Sequence, residues 1–122
     1  MTKRKPKFKP FDLAVSSHEL DSPIWRIVAV EGPRVAVVDA MLEHKRKLEP
    51  SWTDASIFLK PLPWQGYMPA MRRCLDERNP QDAANLIASV PAPMQHHAMD
   101  AARTVGFRVE FYVDGVRVYL PS

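Results

Sequence analysis

Apolar and polar residues alternate with period two over residues 107–113 and 116–120, on either side of Asp114-Gly115. This pattern predicts a β-hairpin closed by a two-residue type I′ turn. Pairing outward from that turn sets Val113 opposite Val116, Phe111 opposite Val118 and Val109 opposite Leu120 on an apolar face, with Tyr112 opposite Arg117 and Glu110 opposite Tyr119 on the other. An isolated ribbon is marginal in water, so these six apolar side chains are expected to lie on helices before them. Upstream the period lengthens to that of a helix. Ala83, Leu86 and Ile87 face inward over residues 80–89, where Asn79 is a good cap and Pro80 a good first residue. The run at Val90, Pro91, Ala92 and Pro93 ends that helix, and a second is predicted from Pro93 to about Val105, stopping at Gly106. Its inner side holds Met94, Ala98, Ala101, Ala102 and Val105; Gln95, His96, Asp100 and Arg103 face out.

Tyr67, Met71, Cys74 and Leu75 share one face of a further helix. Before it, residues 49–66 are proline-rich, which predicts an edge strand at Ile57, Phe58 and Leu59 passing into an extended loop, with Trp64 capping a core. Over residues 33–48 the spacing of Val35, Val38, Met41 and Leu42 predicts a helix ending at Lys45, Arg46 and Lys47. A hairpin competes for the same stretch, because β-branched runs at 27–30 and 35–38 flank Gly32-Pro33; length favours the helix. Asp21, Ser22 and Pro23 read as a helix start that carries Trp25 into the core.

The net charge of +3 is unevenly spread. Residues 1–10 carry five of the seventeen basic residues, Lys3, Arg4, Lys5, Lys7 and Lys9, and none of the fourteen acids. With Pro6 and Pro10 between them, residues 1–11 are expected to form a disordered basic arm, either one that holds a polyanion or a solubilising terminus, ahead of a single domain over residues 12–122. The lone cysteine excludes an internal disulfide and reads as a buried structural thiol in a reducing, cytoplasmic setting. No apolar run reaches membrane-spanning length, so no membrane association is expected.

Residues 81–90 followed by 94–107 resemble the helix-turn-helix of winged-helix regulators and replication-initiator proteins of phages and plasmids. Residues 22–26 and 33–42 also resemble the start of that family. The resemblance implies an α+β, winged helix-turn-helix-like fold, mostly helical with a C-terminal β-hairpin. It implies double-stranded DNA as partner and transcription regulation or replication as setting, and it allows a homodimer. The helix from Pro93 would enter the major groove, with Gln95, His96 and Arg103 toward the bases, while Arg108 and Arg117 on the wing and Lys3, Arg4, Lys5, Lys7 and Lys9 on the arm touch phosphates. From Pro80 onward, however, three arginines face four acids.

That balance keeps a second reading open, a protein-binding inhibitor or adaptor acting on a host protein or nucleoprotein complex. Six methionines and the Trp52 and Trp64 loop suit an adaptable contact surface. Enzymatic activity, a cofactor and a metal are not expected. His18, His44, His96 and His97 fall in no metal-binding motif, and adjacent His96 and His97 point about 100° apart on a helix rather than forming an i, i+4 pair.

Overall fold

A computed structural model describes residues 7–17 and 23–121, and the chain divides into two compact units, Met1–Pro61 and Leu62–Ser122. The first is a five-stranded antiparallel sheet: β1 (Leu13–Ser16), β2 (Trp25–Glu31), β3 (Arg34–Asp39), β4 (Ser51–Asp54) and β5 (Phe58–Leu59). Strands β1 to β4 form a meander, and the chain returns through a single 3-10 turn, Ala55–Ile57, to lay β5 against the free side of β1. The mostly helical, winged-helix-like fold expected for the whole chain is therefore corrected: half of the protein is this sheet.

The helix expected over residues 33–48 is strand β3 followed by turns, and Trp25 starts strand β2 rather than sitting on a helical turn. Asp21 and Ser22, expected to start that turn, lie outside the described residues. Gly32 has φ of 56° and is followed by Pro33, whose ring holds φ near roughly −65°; a positive φ at the first central position alone is a type II′ turn, which suits the twist of paired strands. It sets Glu31 opposite Arg34 and Ile27 opposite Val37, with a bulge between Ile27 and Ala29. Val35, Ala36, Val37 and Val38 are all buried. A strand buried on both faces shows no alternation, so the helical spacing seen in this run was accidental.

Phe8 is 2% exposed and closes the core made by Ala14, Ile27, Val35, Val37 and Phe58. Its ring meets that of Phe58 edge to face at 6.5 Å. From Lys7 onward the expected disordered arm is thus part of the sheet unit, held by the buried Phe8 ring together with the backbone bonds of Phe11 and Asp12 to Ile27.

The second unit runs α1 (Pro63–Gly66), α2 (Met68–Asp76), α3 (Pro80–Ser89), a 3-10 turn (Ala92–Met94), α4 (Gln95–Val105), β6 (Arg108–Tyr112) and β7 (Gly115–Tyr119). Met71, Ala83, Ile87, Ala98, Ala101, Ala102 and Phe107 make its core. Small alanines let α3 and α4 approach closely. Helix α2 ends in a Schellman arrangement, in which Asn79 N–H donates to the Cys74 carbonyl at 2.8 Å and Arg78 N–H to the Leu75 carbonyl at 3.0 Å. Arg78 takes the left-handed position at φ of 52° that glycine usually fills. The next residue turns around at once: Asn79 Oδ1 accepts from Asp82 N–H at 3.1 Å, capping α3.

The hairpin forms one residue earlier than expected. Phe111 pairs with Val116 and Val109 with Val118, leaving Val113-Asp114 as the loop. A type I′ turn at Asp114-Gly115 would need positive φ at Asp114, whereas Gly115 alone in this turn has it, at 142°. The two faces keep their composition. Val109, Val116, Val118 and Leu120 pack on the core, but Phe111 is 69% exposed and Val113 wholly so.

Phe8→Ala is expected to destabilise the first unit by about 3 to 5 kcal/mol in urea unfolding. Arg78→Gly should raise the stability of the second by up to about 1 kcal/mol, since it relieves a left-handed residue whose side chain is exposed.

Candidate nucleic-acid interface

Charge separates along the division into units. The second unit has six basic and six acidic residues, so the whole net charge of +3 belongs to the first. Within the second unit, nearly every arginine is matched to a carboxylate. Arg72 pairs with Asp76 at 3.2 Å, Arg73 with Glu77 at 3.1 Å and Arg103 with Asp100 at 3.5 Å. On the hairpin, Arg108 lies 3.6 Å from Glu110 and Arg117 3.8 Å from Asp114. These exposed pairs add little stability, but each cancels a charge that a phosphate would otherwise meet.

The expected reading residues have local duties. Gln95 donates from Nε2 to the Val90 carbonyl at 3.1 Å, bracing the turn between α3 and α4. His96 is exposed and lies beside half-buried His97, ring centroids 3.9 Å apart. Arg108 covers the Tyr119 ring at 4.6 Å and Arg117 the Tyr112 ring at 4.7 Å, forming a cation–π lattice on the outer face of the hairpin. Glu110 accepts the Tyr112 hydroxyl, and this bond holds the phenol above its ordinary range. Burial pushes the half-buried Cys74 thiol up, an unreactive setting.

The basic N-terminal residues divide in two. Lys3, Arg4 and Lys5 lie outside the described residues. Lys7 donates its ammonium to the Phe58 carbonyl, and Lys9 is exposed at the start of a turn. That turn is joined to a second basic segment by Arg26 on strand β2. Its Nη1 donates to the Phe11 carbonyl at 3.0 Å while Nε donates to the Glu43 carboxylate at 2.8 Å. Glu43 stands in the turns after β3, just before exposed Lys45, Arg46 and Lys47. One side chain thus holds two basic segments distant in sequence against the same strand. Sequence reasoning assigned Lys45, Arg46 and Lys47 to a helix end and missed Phe11 and Arg26. The signal was the repeated basic character of residues 3–9 and 45–47.

An open cleft of about 320 Å³ lies between α3 and the hairpin, lined by Ala84, Ile87, Ala88, Phe111, Val113 and Val116 among others. Among the described residues, no group of three or more His, Cys, Asp or Glu is placed to hold a metal ion, and no helix is long and apolar enough to cross a membrane. No protein-family model, curated protein or solved structure matches the chain.

In an absorbance titration of the three tyrosines, Glu110→Gln should bring one phenol down toward the ordinary value near 10. The sign follows from the loss of a charged acceptor that favours the protonated phenol. An unchanged titration curve would mean that the hairpin lattice does not persist in solution.

Proposed function

We propose that this is a non-catalytic nucleic-acid-binding protein of an intracellular setting that holds its ligand electrostatically through the first unit. The observation that carries the reading is the Arg26 bridge, which ties the turn carrying Lys9 and the turns carrying Lys45, Arg46 and Lys47 to one side chain. Of the acids in these segments, Glu43 is paired with Arg26, and Asp12 accepts from the Lys9 N–H through Oδ2 at 3.1 Å. Lys3, Arg4 and Lys5 would add phosphate contacts from the preceding segment. Such contacts are independent of sequence and weaken steeply with salt. The resemblance of residues 81–107 to winged-helix regulators falls in the second unit and lends no support to binding by the first. Base reading by Gln95, His96 and Arg103 gains no support either, since Gln95 braces a turn and Arg103 is paired.

A second reading applies to the second unit alone. Its balanced charge and the projecting Phe111 and Val113 beside an apolar cleft favour contact with a protein, a host factor or nucleoprotein complex being the class expected.

The test is fluorescence anisotropy with labelled duplex and single-stranded oligonucleotides over a range of salt. Replacing Lys45, Arg46 and Lys47 together by Glu should weaken binding at least about tenfold and flatten the salt dependence, each lost phosphate contact removing roughly 0.7 to 0.9 from the logarithmic slope. Arg103→Ala and Arg108→Ala should change affinity less than about twofold. Salt-independent binding, or a charge-reversed protein that binds as the parent does, would refute the reading.

A further inference from the structure

Residues 9–12 form a turn in which the Asp12 N–H donates to the Lys9 carbonyl at 3.1 Å. Pro10 occupies its second position and Phe11, with φ of 75°, its third. This is the pattern of a type II turn, whose third residue is ordinarily glycine or asparagine because a side chain strains the left-handed region. Phe11 is a bulky exception, and its ring is 77% exposed. Burial therefore does not explain it. Arg78, the other non-glycine residue described at positive φ, closes a helix; Phe11 has no such role.

The turn is clamped so that the ring stays outward. Phe11 N–H donates to the Ile27 carbonyl at 2.7 Å and its own carbonyl accepts from Arg26 Nη1 at 3.0 Å. Asp12 adds the side-chain bond to Lys9 N–H. An exposed aromatic side chain thus projects from a turn held to the sheet, with exposed Lys9 two residues before it and the Arg26 guanidinium at its carbonyl.

We propose that Phe11 is a stacking platform for an unpaired base, so that the ligand of the first unit is single-stranded nucleic acid. This rests on the nucleic-acid reading above and specifies its substrate class. A base in a duplex has both faces covered by its neighbours, whereas an unpaired base offers one to a protein ring, and cations beside the ring hold the flanking phosphates. An anionic membrane would meet the same charges. Yet even a myristoyl chain gives only marginal membrane attachment, and a single phenyl ring buries less.

The full chain is titrated by anisotropy with a labelled oligothymidylate and with an abasic strand of equal length. Phe11→Ala should weaken binding to oligothymidylate by about 5- to 150-fold, the range of one base–aromatic contact, and leave binding to the abasic strand unchanged. Phe11→Trp should restore it. Phe11→Gly should lose the same affinity with a melting temperature equal to or above that of the parent, because glycine suits the turn. A lower melting temperature for Phe11→Gly would mark the ring as structural and overturn the proposal. Equal losses on both strands, or vesicles of anionic lipid released by Phe11→Ala while oligothymidylate is retained, would also overturn it. If Phe11→Ala binds oligothymidylate normally while the charge-reversed protein does not, the platform is wrong and the nucleic-acid reading stands. If neither substitution changes affinity, both fall.

Discussion

An aromatic ring from a segment dense in lysine and proline closes the core of the first unit. Phe8 against Phe58 is the contact on which the rest of that surface depends, because it pins residues 7–12 to the sheet. Once pinned, the backbone of Phe11 and Asp12 exchanges hydrogen bonds with Ile27, and Arg26 can reach the Phe11 carbonyl. Without Phe8 the cations of this segment would sample many positions. With it, the turn that carries Lys9 and the turns that follow β3 are both bonded by Arg26 of β2.

The two units handle charge in opposite ways. In the second, guanidinium groups lie over tyrosine rings or beside carboxylates a turn away, an arrangement that satisfies them locally. In the first, the pair between Arg26 and Glu43 joins the turn at Phe11 to the turns that follow β3. Under the proposed function, the net positive charge carried by the first unit is what would draw a polyanion over a distance. The exposed hairpin tip is a separate matter, because its interest lies in Phe111 and Val113 and not in charge.

How much of this was legible in the sequence follows from the kind of signal each element carries. Helices α3 and α4 were readable because Asn79, Pro80 and Gly106 punctuate a clean helical period. The hairpin was readable in its faces but not in its register, since a turn shifted by one residue preserves both strand alternations and only the φ of Gly115 separates the options. Strand β3 was misread because a run buried on both faces has no period to detect, and the competing hairpin signal at Gly32-Pro33 was the better guide. The core role of Phe8 was hidden by its lysine and proline neighbours. The site depended on Arg26 meeting residues fifteen before and seventeen after it, a proximity no local pattern encodes.

Asn79 closes α2 with its amide and opens α3 with its side chain, leaving no spare residue between them. Two helices joined in this way have no hinge at the joint. An insertion there would uncouple one bond from the other, whereas the Val90 to Pro93 stretch is held separately, by the buried Val90 side chain, the Met94 N–H to Pro91 carbonyl bond and the Gln95 side chain. The angle between α2 and α3 is thus set by the two bonds of a single asparagine.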